Sequence, residues 1–217
     1  YFQLTPSASS TDVTAGKDNV FQMCFTDPDQ GVTAADYVAE NGLATKVAVI
    51  YNNGDAYSTG IAQGFISQAA EVGLEVVAEQ TFPDDTNTDF TVQLNAAKDG
   101  GAELVFMPIY YTPASLILNQ AKSMGYEPTF MGGDGICTSE LPKLAGDGMA
   151  DEQVYCAEAG GVEGEQKAGM EKFRADFKAK FGTDVQVYAP YVYDAVHVMD
   201  KAMQNANSAD PAKYLPA

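Results

Sequence analysis

The chain has no tryptophan, one histidine, three cysteines, and only 12 basic residues against 30 acidic ones. The resulting formal charge of -18 repels phosphate backbones and anionic membrane surfaces. Nucleic acid is therefore excluded as an expected partner. No apolar run approaches the roughly 20 residues that a spanning helix needs, and no cationic stretch followed by an apolar one opens the chain. No membrane insertion of this chain is expected.

Metal and cofactor chemistry also lack a handle. The single His197 lies in an apolar helical segment with no cysteine or second histidine near it in sequence, and the cysteine spacing fits no zinc pattern. The segment DDTNTDF (84–90) resembles the opening of a calcium loop. Phe90 stands where such a loop needs glycine, however, and no bidentate glutamate follows at the right distance. Asp89 as a helix N-cap is the better expectation. There is no G-x-S-x-G elbow, no P-loop and no G-x-G-x-x-G, so neither a cofactor nor catalysis is expected. The start without Met is expected for a processed product or for a chain that begins inside a longer protein, the second being favoured, and Tyr1 and Phe2 receive no functional assignment.

What is present is a globular composition: 217 residues, 46% of them apolar, with 12 tyrosines and 11 phenylalanines. Strand-like apolar runs alternate with amphipathic segments. KVAVIY (46–51) precedes Ile61, Phe65, Ile66, Ala69 and Ala70 at helical spacing, stopped by Gly73. LEVVAEQTF (74–82) precedes a helix expected to start near Asp89, and AELVFMPIY (102–110) precedes PASLILNQAKSMG, after which comes TFMGG. Such apolar strands separated by helices predict an α/β fold with a parallel sheet covered on both faces. Met170, Phe173 and Phe177 mark another helix, and YAPYVYDAVHVMDKAM a last long one, with Pro190 in its first turn where the missing N–H costs least.

In open α/β sheets, ligands sit beyond the carboxyl ends of the strands. The loops there hold TPSASS (5–10), Tyr57, Tyr110 with Tyr111, and Asp134 inside FMGGDGIC (130–137). Taken singly, each has a plainer explanation: a helix cap for the hydroxyl residues, packing for the tyrosines, a tight turn for Asp134. For Asp134 the alternatives are a turn residue, a metal ligand, and an acid aimed at a ligand's positive charge. Together, a carboxylate-binding loop, aromatic walls and a lone acid suit a zwitterion with an apolar side chain.

The ordered set TPSASS, FTDPDQG, VAVIYNNGDAYSTGIAQGF, TDFTVQLNAAK, ILNQAKSMGYEPTFMGGDG, LAGD and YAPYVYDAV resembles the type I periplasmic binding proteins of branched-chain amino acid (leucine/isoleucine/valine) ABC transporters. The resemblance implies two α/β lobes with a ligand held between them. It implies residues 1–27 as part of the first lobe, 28–156 as the second lobe and 157–217 as the return to the first, with the rest of the first lobe absent. Ser7, Ala8 and Ser9 match the loop that holds an amino acid's carboxylate and part of its ammonium. Tyr57 and Tyr110 match aromatic residues that close over the ligand, Asp134 with Gly135 the pair that receives the ammonium, and Tyr188 an aromatic wall. On this basis the glycines thin the backbone so that Asp134 reaches the ligand. Two departures stand out: an Asp where some members have Glu, and Gln22 where Arg is common.

The same resemblance pairs Cys137 with Cys156, against the alternative of two buried thiols, and leaves Cys24 a core thiol. It implies a solute-binding subunit, periplasmic or else extracellular and lipid-anchored through an absent leader, that takes an amino acid and passes it to an ABC transporter permease. A ligand-sensing regulatory or receptor module of the same fold is the alternative, and an α/β hydrolase or transferase is a third reading that would require turnover.

Overall fold

The structure, a computed structural model, describes residues 2–84, 86–146, 154–157 and 164–215. In chain order the elements are β1 (Gln3–Thr5), β2 (Val20–Gln22), α1 (Asp27–Glu40), β3 (Lys46–Asn52), α2 (Ala56–Val72), β4 (Glu75–Phe82), α3 (Thr91–Asp99) and β5 (Leu104–Phe106). Then follow α4 (Tyr111–Ser123), β6 (Thr129–Gly132), α5 (Glu140–Ala145), β7 (Val154–Cys156), α6 (Lys167–Phe181), α7 (Ala189–Ala206) and α8 (Pro211–Tyr214). The chain divides into two compact units, one of Thr26–Glu158 and one of Tyr1–Phe25 with Ala159–Ala217.

The larger unit is a five-stranded sheet in the order β4-β3-β5-β6-β7, with every neighbouring pair parallel. Alternation along β3 sends Val47, Val49 and Tyr51 to one face, where they pack with Ile61 and Phe65 of α2 and Val38 of α1. Ala48 and Ile50 go to the other, against Leu94 of α3, Ile117 and Leu118 of α4 and Leu141 of α5. Both faces are thus covered by helices, which is why these strands read as continuous apolar runs rather than alternating ones. The α/β class with a parallel sheet flanked by helices is what the sequence predicts.

Local signals set the boundaries. Asp55 caps α2, its carboxylate accepting the Ser58 N–H at 3.1 Å, and Gly73 ends it at φ 81°, a left-handed conformation that glycine adopts at little cost. The expected cap at Asp89 is displaced by one residue. Phe90 occupies the N-cap position of α3 without a side-chain bond, while Asp89 accepts the Thr91 N–H at 2.9 Å from just outside. The carboxylate still serves an orphan N–H; a short Asx turn places it there.

In the smaller unit β1 and β2 form a two-stranded parallel sheet, and α7 begins with Pro190 in its first turn as expected. Here α6 and α7 carry their apolar residues largely in the open, with Phe181 57% and Val196 64% exposed. Phe173 touches Phe177 on its own helix and Tyr193 across on α7. Cys24 is buried. Among the described residues no helix is long and apolar enough to cross a membrane.

Cys137 and Cys156 are joined, with Cα atoms 5.4 Å apart. The bridge ties the turn after β6 to the end of β7. For a loop of 19 residues the chain-entropy account gives about 3 kcal/mol. Replacing both cysteines by serine is therefore expected to lower the unfolding free energy of the larger unit by that order. Chemical denaturation with and without reductant measures it, and the doubly substituted protein should show no response to reductant.

Candidate functional site

The carboxyl ends of β3, β5 and β6 lie at one edge of the larger sheet because all three strands are parallel. Tyr57, Tyr110 and Asp134 follow those strands in turn, so the topology brings them to one place. Tyr57 is not ahead of the helix, as the sequence implies, but in the first turn of α2. Its height there is fixed by the neighbouring Ser58, which is fully buried. The Ser58 hydroxyl accepts the Asn52 N–H at 2.9 Å and donates to the Pro108 carbonyl at 2.6 Å. One side chain thereby pins the end of β3, the start of α2 and the loop after β5 together.

Asp134 sits in a short 3-10 turn (Asp134–Ile136) directly after β6 and is 3% exposed. Its Oδ1 accepts the Tyr57 hydroxyl at 2.7 Å and the Gln30 amide at 3.1 Å. The Gln30 carbonyl oxygen in turn accepts the Asp134 N–H at 2.7 Å, and the Tyr57 hydroxyl accepts the Gly135 N–H at 2.9 Å. Tyr57 stacks on Tyr110, ring centroids 5.1 Å apart and planes 22° from parallel. Tyr110 is the exposed member of the pair, at 39%. An acid buried from solvent is thus linked through one phenol to an aromatic ring at the surface.

The flanking glycines make room for side chains. A Cβ at Gly133 would stand 2.3 Å from Gln30 Oε1 and 2.8 Å from the Tyr57 hydroxyl. At Gly135 it would stand 2.8 Å from that same hydroxyl and 3.0 Å from the Ile109 carbonyl oxygen. The thin backbone admits the two side chains that hold Asp134.

Gln30 is a partner of Asp134 that the sequence does not announce. It lies in α1, 104 positions from its partner, in a polar helix start (DPDQG) that reads as solvated. No local signal marks it. Among the described residues no group of His, Cys, Asp and Glu could hold a metal ion.

The remaining candidates belong to the smaller unit. Ser7 and Ala8 are exposed, and both of their N–H groups point to Thr5 Oγ1, at 3.4 and 3.0 Å. Ser9 is buried. Ser10 caps a 3-10 turn (Thr11–Val13), so the plain capping explanation holds for that hydroxyl. The Cys24 thiol lies 3.5 Å from the Ala8 carbonyl oxygen and supports the loop from below. Tyr188 occupies the N-cap position of α7 and is half-buried.

Comparison with known proteins follows the same lines. An amino acid binding protein from Pseudomonas aeruginosa is 30% identical over 213 residues, 97% of this chain and 55% of that protein. A leucine-, isoleucine-, valine-, threonine- and alanine-binding protein of the same organism is 27% identical over 99% of this chain and 56% of its own length. Among solved structures, a leucine binding protein from Thermotoga maritima superposes with a TM-score of 0.86 at 26% identity, covering 98% of this chain and 60% of that one. The isoleucine complex of a branched-chain amino acid transporter substrate binding protein from Streptococcus pneumoniae gives 0.85 at 28% identity, over 98% and 59%. The chain spans little more than half the length of the relatives it matches. With a match to the family described as periplasmic binding protein running over residues 1–217, the chain belongs to that family.

Proposed function

We propose that this chain is part of an extracytoplasmic solute-binding protein of an ABC importer, that it binds an amino acid with an aliphatic side chain, and that it does no chemistry on its ligand. The observation that carries this reading is the buried Asp134, held by Tyr57 beneath an aromatic pair at the carboxyl edge of the larger sheet. A carboxylate of fixed orientation suits a ligand ammonium, and a charge-assisted bond of that kind contributes about 1.5–3 kcal/mol. One relative is named for binding leucine, isoleucine, valine, threonine and alanine, and another is solved in complex with isoleucine, which supports the side-chain class. In the proposal Ser7, Ala8 and Ser9 hold the ligand carboxylate, Gly135 and Tyr110 line the site, and Tyr188 forms a side-chain wall. Residues 28–156 form one lobe, and 1–27 with 157–217 contribute to the other. Delivery to a membrane permease outside the cytoplasm completes the role.

Isothermal titration with leucine, isoleucine, valine and a panel of other amino acids tests it. Asp134→Asn keeps an acceptor for Tyr57 and Gln30 but removes the charge, and should weaken leucine binding at least tenfold, corresponding to about 1.4 kcal/mol. Unchanged affinity in Asp134→Asn would remove Asp134 from the site. If neither these residues nor the natural full-length protein binds any amino acid, the ligand class is wrong.

A further inference from the structure

The exchange between Gln30 and Asp134 is a two-point contact. One side-chain amide donates to the carboxylate and accepts from the backbone N–H of the same residue, at 3.1 and 2.7 Å. Only a side chain carrying both a donor and an acceptor on a planar end satisfies both atoms at once. A glutamate would place an acceptor against an acceptor, and a methionine would leave both groups of Asp134 without that partner. Gln30 is itself 6% exposed, so neither bond competes with bulk water.

The position of Gln30 is fixed by its neighbour. Gly31 lies so close to α2 that a Cβ there would stand 2.1 Å from the Ile61 carbonyl oxygen. Residue 30 therefore sits beside a close approach between α1 and α2, and α2 is the helix that carries Tyr57. The two groups that bond to Asp134 Oδ1 thus come from two helices locked to each other, and they reach the acid from different elements. Two donors from fixed directions define the plane of the carboxyl group as well as its place. A group so held needs little reordering when a partner arrives, and preorganisation of this kind raises affinity by lowering the ordering cost of binding.

We propose that Gln30 is the positioning residue of the binding site: it touches no ligand, and it sets the orientation in which Asp134 meets the ligand's ammonium. The proposal rests on the amino-acid reading given above and deepens it. It makes selectivity for an amino group, rather than affinity in general, the property that depends on α1.

The test uses the natural full-length protein and two ligands, leucine and isocaproate, the latter having the same carboxylic acid and side chain without the amino group. Gln30→Met keeps the volume and removes both bonds. Leucine affinity is expected to fall at least tenfold while isocaproate affinity changes less than twofold, so that the ratio of the two collapses. Gln30→Glu should lower leucine affinity further than Gln30→Met, because it sets a second carboxyl group against Asp134. Thermal unfolding is followed alongside. Equal losses for both ligands, whatever the melting temperature does, would mean a structural contact only and overturn the proposal, as would an unchanged leucine affinity. Should the unsubstituted protein bind neither ligand, it is the amino-acid reading that fails. The clamp is then judged by amide exchange, where Gln30→Met must accelerate exchange of the Asp134 N–H at least tenfold, and unchanged protection overturns it.

Discussion

Gly64→Ala is expected to destabilise the larger unit by at least about 3 kcal/mol, the upper end of what overpacking costs when the surroundings have no rotamer to give. A Cβ at Gly64 would stand 2.4 Å from the Pro28 carbonyl oxygen and 2.9 Å from the Pro28 Cα. Both are backbone atoms, so only a shift of the whole α1 helix relieves the clash. Gly31→Ala meets the same obstacle from the other helix, at Ile61 O and Phe65 N. A shift of α1 would open the apolar layer in which Val38, Ile61 and Phe65 are fully buried. The control is Gly169→Ala in α6, whose Cβ meets nothing within 4 Å. That substitution should be neutral or stabilise by at most roughly 0.5–1 kcal/mol, the gain in a helix interior, because Gly169 lies in the first turn of α6. Urea denaturation of the three variants decides the matter; a loss below about 1 kcal/mol for Gly64→Ala would mean that α1 moves freely on α2.

The same close approach explains what could and could not be read from the chain. The strand KVAVIY, the helix ending at Gly73 and the late helix opening with Pro190 were legible because each is encoded locally, by an apolar run, a periodicity or a turn residue. The helix α7 was legible by its period even though Val192, Tyr193 and Val196 stay exposed. Periodicity reports an amphipathic face, not what covers it. The capping displacement from Asp89 to Phe90 lies within the one or two residues by which helix ends ordinarily escape definition.

The candidate site divides in the same way. Tyr57, Tyr110 and Asp134 could be grouped from sequence because each follows a strand of one parallel sheet, and parallel strands deliver their following loops to a common edge. Gln30 could not be grouped with them. Its helix crosses to the site only through the packing of α1 on α2, which depends on Gly31 and Gly64 meeting backbone, a relation between residues with no mark of its own in a single sequence. Ser58 was missed for a related reason: a serine in the first turn of a helix reads as a capping residue, whereas this one joins Asn52 to Pro108. Gly133 and Gly135 stand out in sequence, whereas the approach of the Gln30 and Tyr57 side chains to them does not.

That approach supplies the second large effect. Gly135→Ala is expected to cost about 2–3 kcal/mol and to weaken leucine binding by well over tenfold, because its Cβ displaces the Tyr57 hydroxyl from both Asp134 and the Gly135 N–H. Removing a partner from a buried polar group costs about 1–3 kcal/mol, and here two bonds share one hydroxyl. The contact at 3.2 Å with Tyr110 adds a push against the stacked pair. Tyr57→Phe takes the same hydroxyl away without the clash and should cost about 1–2 kcal/mol on its own. In the double variant the ring has room for the new methyl and the bonds are already lost, so the two costs must not add. A coupling of about 1–2 kcal/mol in the direction of relief is expected. Leucine binding should stay weak in the double variant, since stability returns with the space while the bond that holds Asp134 does not. Additive costs would place the clash at the Ile109 carbonyl oxygen instead, and recovery of binding together with stability would show that Asp134 keeps its orientation without Tyr57.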